Sequence, residues 1–555
     1  MEQNNVIIVL KEKLKRMLSH RYSGVLIVIT VIIARIIQQI YFFNTHNDMT
    51  YQVLGTQHLL NGHGISSVSI AANDISHTIY QPLNQWPPGF SVLFIPFYLL
   101  LGKNYIAAAL ALGILCAILL IIASRAILKL LEVPSYLINV FTIVSGFFGY
   151  YFYTKSCTDA IGISFFVIAV YYFLLLTRKS DSLTKNILFL SASLLICGFI
   201  KYLFIPAVFA VPLFLIAKGI ATKERSIKKA GAITFLILFI AFGCFFLYQQ
   251  QISGSAGYVK EQGRGFFPEN LQTTFPFVTG SFIKHESVEE LLPAQPGVHS
   301  FLLICFRIVS VVSFAVLLFF FLKGIAQNRL KKQTPGGDYF YLSVLISSLI
   351  IFLLAILSLR VAKEPLDSGL SWTYVEEPRY YGIITVLLHI GVFALYPWYK
   401  TVKKASIKFL FPALILFMVP EMIRGVAFSA HRIQNIKKET YGWQYELQFQ
   451  KIADKIINDI EQRQNNKSIV VTGTSDWMTL RVSLYSHLPY FADVNKLLTP
   501  ERLKTSKPVT LLAIIKDNHI NSFKSFLSLE SVRHEGSGNG YLFYSYNLYP
   551  QISQN

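Results

Sequence analysis

Apolar residues fill most of the first 430 positions in long blocks, separated by short basic or polar segments. Blocks at 23–43, 105–128, 135–152, 157–177, 186–200, 202–218, 230–248, 299–322, 339–359, 380–399 and 409–427 predict eleven membrane helices. About 20 apolar residues cross a hydrocarbon core of roughly 30 Å. Little chain separates the blocks within 135–177 and within 186–218, which predicts tight turns there. Beyond residue 428 the texture changes. Residues 443–463 alternate at a helical period, 468–472, 509–515 and 541–546 read as short strands, and 518–529 is helix-like. The expected architecture is an all-α polytopic membrane domain over 1–430 and a small α/β domain over 431–555. A basic stretch followed by the apolar run 25–33 has the outline of a cleaved signal, but no small-residue cleavage site follows. The run continues through Arg35 to Phe43, so a retained first helix is expected.

Composition narrows the class. Of 555 residues 53% are apolar and 14% charged, and mean hydropathy is +0.48. A soluble domain carries about 25% charged residues, and a soluble chain of this size has no polar surface large enough to cover so much hydrocarbon. The five cysteines lie in or beside apolar runs without the paired spacing of a zinc site or disulfide framework.

The formal net charge of +20 is explained by its distribution. With the N-terminus cytoplasmic, Lys11 to Arg21, Arg178 to Lys185, Lys218 to Lys229, Lys323 to Lys332 and Lys400 to Lys408 all fall inside. The outer loops hold far fewer cations, among them Lys103, Arg264 and Arg379. The charge is therefore a topology signal matched to anionic lipid, and no nucleic-acid partner is implied. An odd number of spans puts the C-terminal domain outside.

The inner loops are short and basic, so chemistry is expected at the outer boundary, in loops 44–86, 249–300 and 360–379. Asp48 follows the first span directly, at the hydrocarbon edge, where a carboxylate is placed to act as general base on an acceptor hydroxyl; the alternative is a cap for the helix expected over 49–60. The first loop closes with Trp86-Pro87-Pro88 and an apolar run through Leu101, too short to span and suited to an interfacial helix anchored by Trp86 and Tyr98. Arg35 and Arg307 lie inside expected spans, where a charge is costly and marks function or helix pairing; Asp159 is a candidate partner for Arg307. His46, His58, His63 and His77 share the first loop without helical ligand spacing, so no metal site is assigned to them. Gly473-Thr474-Ser475-Asp476 follows a strand but lacks the spacing and Lys of a phosphate loop, and reads as a turn.

In order and sidedness these features resemble the GT-C superfamily of membrane glycosyltransferases. The nearest branch holds the dolichyl-phosphate-mannose–protein mannosyltransferases and the lipid A aminoarabinose transferases. The first helix, Asp48 just beyond it and the loop ending in Pro87-Pro88 carry the resemblance. So do Lys155-Ser156-Cys157-Thr158-Asp159, Ile200-Lys201-Tyr202 with Pro206, and Glu376-Glu377-Pro378-Arg379-Tyr380. Met49 stands where the family often has a second acidic residue, and Trp86 where the aminoarabinose transferase has Lys.

The resemblance implies a GT-C-like fold and transfer of a sugar from a polyprenyl-phosphate carrier to a glycan, lipid or protein acceptor, with inversion. It places Asp48, with Asp159, in the catalytic role. Lys201, Arg379, Tyr380, Arg264 and Arg307 become candidates for the donor phosphate, and Tyr51, Trp86, Pro87 and Pro88 for the interfacial substrate loop. No cofactor is required by the residues; a divalent metal, used by some relatives, is left open. The expected location is a bacterial cytoplasmic membrane. The alternatives are a transporter or flippase of lipid-linked sugars, although no internal repeat marks one, and a non-catalytic assembly factor.

Overall fold

The computed structural model describes residues 12–13, 15–43, 46–71, 74–148, 157–178, 182–254, 266, 268, 277–282, 296–331, 336–360, 379–401, 405–434, 443–464, 468–473, 476–491 and 504–550. The chain begins with helices α1 (Arg21–Phe42) and α2 (Asn47–Leu60), the hairpin β1 (Ser66–Ala71) and β2 (Asp74–Pro82), and α3 (Gly89–Leu100). There follow α4 (Tyr105–Leu130), α5 (Ser135–Phe147), α6 (Cys157–Thr177), α7 (Leu183–Ile200), α8 (Ile205–Thr222) and α9 (Arg225–Ser253). Next come α10 (Phe277–Gly280), α11 (Pro296–Ala326), α12 (Gly337–Arg360), α13 (Gly382–Ala394), α14 (Tyr396–Thr401) and α15 (Ala405–Gln434). The C-terminal part holds α16 (Trp443–Arg463), β3 (Ser468–Gly473), α17 (Asp476–Ser486), β4 (Tyr490–Phe491), β5 (Val509–Lys516), α18 (Lys524–Leu527), β6 (Arg533–Gly538) and β7 (Tyr541–Leu548). Packing divides the chain into two compact units, residues 1–39 with 111–434 and residues 40–110 with 435–555.

Among the described residues nine helices are long and apolar enough to cross a membrane, in α1, α4, α6, α7, α8, α9, α11, α12 and α15. The protein is a multi-pass membrane protein. Two of the eleven expected spans are shorter: α5 and α13 have 13 residues each, about 20 Å at 1.5 Å per residue. Residues 149–152 of the expected third span lie outside the described residues. The ladder of α13 stops because Pro397 has no N–H for the Phe393 carbonyl, and α14 restarts the helix. At the end of α5, Arg35 donates to the carbonyls of Ser145 (3.1 Å) and Phe148 (2.8 Å). This buried cation therefore caps the C-terminal end of α5.

Within the first unit α6 is buried on nearly every face, and α6–α7 and α8–α9 form antiparallel hairpins. Lys218 on α8, 1% exposed, is ion-paired to Asp338 on α12. By contrast α1 exposes Leu26 and Ile29, α9 exposes Phe239 and Ile240, and α11 exposes Ile308, Val312 and Phe319, apolar faces suited to lipid.

In the second unit a five-stranded sheet runs in the order β4-β3-β5-β7-β6, with β4, β3 and β5 parallel and β7 and β6 antiparallel. Residues 518–529 are not a continuous helix: a 3-10 stretch over Asp517–Phe523 leads into the single turn of α18. The first-loop hairpin joins the core of this sheet, with Ile70 and Ile75 packed beside Val470, Leu511 and Phe526. Residues 474 and 475 of the expected turn lie outside the described residues.

The hairpin is pinned at Asp74. Its carboxylate accepts from the Ser76 backbone (2.9 Å) and hydroxyl (2.5 Å), and from the backbone (3.2 Å) and hydroxyl of Ser506. Slight burial pushes the carboxyl up, but the donors on Ser506 and Ser76 outweigh it and hold it down to about 2. A depressed carboxyl stabilises the fold above its unfolded value of 3.8, and that contribution is lost as pH falls through about 2. Asp74→Asn is expected to cost about 0.5–1 kcal/mol at pH 6, an amount kept small by solvent screening. Melting curves of the two proteins should converge as the pH approaches 2; a gap that persists there would remove the ionic part of the contact.

Candidate active site

Four residues singled out in the sequence meet in the first unit. The chain leaves α7 at Lys201 in an extended conformation (φ −153°, ψ 131°), forms one 3-10 turn over Tyr202–Phe204 and re-enters a helix with Pro206 in its first turn. That break places the Lys201 side chain against the start of α6, where its Nζ lies 2.6 Å from Asp159 Oδ1. Gly162, one turn after Asp159, makes the approach possible, since a Cβ there would collide with the Phe204 ring. Asp159 is 1% and Lys201 14% exposed. A carboxylate so deeply buried needs its cation, and its place in the first turn of α6 adds the favourable end of the helix dipole. Asp159 Oδ2 has no hydrogen-bond partner among the described residues. The sequence left Arg307 as a candidate partner for Asp159; the structure pairs Asp159 with Lys201.

Arg379 and Tyr380 complete the cluster from the turn before α13. Lys201 Nζ stands 4.4 Å from the centre of the Tyr380 ring, and the Arg379 guanidinium carbon 4.9 Å from it. Arg379 also donates to the Tyr380 hydroxyl at 3.2 Å and is 6% exposed. Two cations share one aromatic ring, and the buried carboxylate is ion-paired to Lys201. Beside them Gln249, 4% exposed, donates to the Tyr202 hydroxyl at 2.6 Å, and its own Oε1 is a buried acceptor with no partner among the described residues.

In the second unit Asp48 occupies the first turn of α2 and its side chain is 21% exposed. His46 caps this helix, its Nδ1 accepting the Asp48 N–H at 3.3 Å and lying 3.8 Å from Asp48 Oδ1. Tyr51, one turn on, stacks on Trp86 with ring centres 5.2 Å apart. Pro87 is buried and Pro88 leads into α3, which locks to α2 through Ser91 Oγ on the Gln52 carbonyl (2.7 Å) and Thr56 Oγ1 on the Ser91 carbonyl (2.9 Å). All four candidates for the interfacial loop thus lie on the α2–α3 pair or its entry.

The first-loop histidines take separate duties. His58 Nδ1 lies 2.6 Å from the Ser66 carbonyl, and burial pushes its imidazole down; His63 stacks on Tyr80. Arg307 lies on α11, half-buried. Arg264, Lys155, Ser156 and Glu376 to Pro378 lie outside the described residues. The sequence reading passed over Gln249, His389 on α13 and the Lys218–Asp338 pair; the signal available was a polar or ionisable residue inside an apolar block.

No family model matches the chain, and no curated protein sequence matches it. Its fold has counterparts among solved structures. ArnT from Cupriavidus metallidurans, in the apo state, aligns over 93% of this chain and 97% of its own, at 12% identity and a TM-score of 0.51. The same protein bound to undecaprenyl phosphate aligns over 95% and 98%, at 11% identity and a TM-score of 0.46. The oligosaccharyltransferase of Archaeoglobus fulgidus aligns over 90% of this chain and 70% of its own, at 12% identity and a TM-score of 0.46. The likeness to apo ArnT, nearly end to end in both chains, gives this protein the GT-C-like fold to which the sequence resemblance pointed.

Proposed function

We propose that this protein transfers a sugar from a polyprenyl-phosphate carrier to an acceptor at the outer face of a bacterial cytoplasmic membrane, with its N-terminus inside and its C-terminal residues outside. The observation that carries the reading is the cluster of Lys201, Arg379 and Tyr380 over the buried Asp159. The GT-C-like fold supports the same reading at the level of architecture.

In this mechanism an acceptor hydroxyl attacks the anomeric carbon in line with the departing phosphate, which inverts that centre. The hydroxyl proton passes to Asp48, and the electron pair of the breaking carbon–oxygen bond goes to the phosphate oxygen. The donor phosphodiester carries one negative charge, whereas the released monoester approaches two, as phosphate monoesters do near pH 7. Cations fixed at the phosphate therefore bind the transition state more strongly than the ground state, as catalysis requires. Lys201 and Arg379 supply them, with Arg307 and Arg264 as further candidates; Asp159 keeps Lys201 in place. Tyr51, Trp86, Pro87 and Pro88 shape the interfacial side on which the acceptor is presented.

The test is release of polyprenyl phosphate from a panel of polyprenyl-phosphate sugars by the solubilised full chain, with membrane extract as acceptor. Release from one donor is the expected result. Arg379→Ala should lower the rate by about 10²–10³-fold, in line with losing one preorganised donor, and Arg379→Lys by less because charge is kept while the fork is lost. Carrier movement across liposomes with no release from any donor would replace the enzyme by a transporter.

A further inference from the structure

A segment of the second outer loop is built into the helical bundle, and one buried histidine holds it there. Residues 277–282 pack between α11 and α13: Val278 is buried, and Ser281 and Ser310 are wholly so. The Thr279 N–H donates to Ser310 Oγ at 3.2 Å, and the Ser281 and Thr385 hydroxyls are 3.0 Å apart. Where α10 ends at Gly280, the buried non-helical backbone of Ser281 is tolerated only where protein satisfies its polar groups. For the Ser281 carbonyl that group is His389, fully buried on α13, with Nε2 at 2.6 Å. A carbonyl only accepts, so Nε2 carries the proton. The ring is held edge-on by Phe148, with ring centres 4.6 Å apart.

The residue directly before Ser281 meets the turn that bears the phosphate candidates. Gly280 lies so near Tyr381 that a Cβ on it would sit 2.7 Å from the Tyr381 hydroxyl. Tyr381 follows Arg379 and Tyr380 directly, and its carbonyl accepts the Thr385 N–H at 3.0 Å, the first bond of α13. His389, Ser281, Thr385, Gly280 and Tyr381 therefore form one buried lattice behind the Arg379–Tyr380 turn.

We infer that His389 is a positioning residue for donor-phosphate binding: through the Ser281 turn and the Gly280–Tyr381 contact it fixes where Arg379 and Tyr380 stand. The inference rests on the proposed function, because it takes those two residues to hold the carrier phosphate. His389 touches no substrate in this scheme.

The experiment is titration of the solubilised full chain with undecaprenyl phosphate, followed by intrinsic fluorescence, at a temperature where every variant is folded by its melting curve. His389→Leu should weaken binding about 10-fold, the scale of one lost buried hydrogen bond. His389→Gln, which restores an N–H donor, should bind within about threefold of wild type. Gly280→Ala, which leaves His389 intact, should weaken binding similarly. Adding Tyr381→Phe to it removes the clashing hydroxyl and should restore affinity, a rescue that a general loss of stability does not produce. Wild-type binding with unchanged affinity in both His389→Leu and Gly280→Ala overturns the positioning role and leaves the donor reading standing. No binding by the wild type overturns the donor reading itself, and this inference with it. Should His389→Leu fail to fold, the Gly280→Ala pair with its rescue decides the question.

Discussion

Asp48→Asn is expected to lower sugar transfer by about 10²–10⁴-fold, the usual contribution of a positioned general base, while the protein stays folded. The backbone of α2 at this point does not depend on the carboxylate. His46 Nδ1 caps the Asp48 N–H, and Gln52 donates to the Asp48 carbonyl at 2.8 Å. Asparagine keeps the size and both backbone bonds. It gives up the favourable interaction of an acidic residue with a helix N-terminus, about 0.3–1 kcal/mol. The loss should therefore appear in kcat, with the carrier's affinity nearly unchanged, because a base acts on the acceptor and contributes only as the transition state forms. Asp48→Glu should recover part of the rate. The measurement is single-turnover release of polyprenyl phosphate, with melting curves for each variant. An undiminished rate in Asp48→Asn would remove it as base. Asp159 would then be the next carboxylate to test, although its ion pair with Lys201 occupies one oxygen.

The sequence carried the class of this protein in its coarsest feature, the length of its apolar blocks, because a membrane leaves few ways to satisfy a backbone. It also carried the α2 and α3 helices, the amphipathic α16 and the strands β3, β5 and β7. What it did not reveal has identifiable physical causes. Strand β1 alternates buried and half-buried positions with Ser and Ala among them, a weak period-two signal, and β2 does not alternate. The Gly-rich β6 is largely solvent-exposed and shows no apolar pattern at all. Nor does a local pattern announce that Ile70 and Ile75 share a core with Leu511, more than 400 residues on. Asp159, Lys201, Arg379 and Tyr380 were singled out by the resemblance of the segments that carry them, each at a span boundary, to GT-C motifs. Their mutual arrangement was not legible. That Lys201 pairs with Asp159 follows from a helix break and from the missing Cβ of Gly162, long-range facts that a single sequence does not encode as a motif.

The largest expected effect on stability lies in the second unit. Glu446 on α16 and Arg481 on α17 are each 1% exposed and paired at 2.7 Å. Tyr485 donates to the second Glu446 oxygen at 2.9 Å and stacks on Tyr105 with ring centres 5.7 Å apart. Burial first, then the Glu446 charge, pushes the Tyr485 phenol well up, so it stays a donor throughout the physiological range. Removing one partner strands a buried charge. Arg481→Met and Glu446→Gln should each cost about 3–5 kcal/mol. Because the chain has two compact units, a single melting temperature does not report this faithfully. Amide exchange in α16 and α17 of the full chain does, and should rise about 10²–10³-fold in either variant. The double variant Glu446→Leu with Arg481→Met should return close to wild type, since apolar replacement of a whole buried pair is often neutral or stabilising. Additive losses in the double variant would mean that the two side chains act separately, through packing alone. Recovery would mean that the pair adds little net strength and instead fixes how α16 and α17 register, since each charge is matched to the other across the two helices.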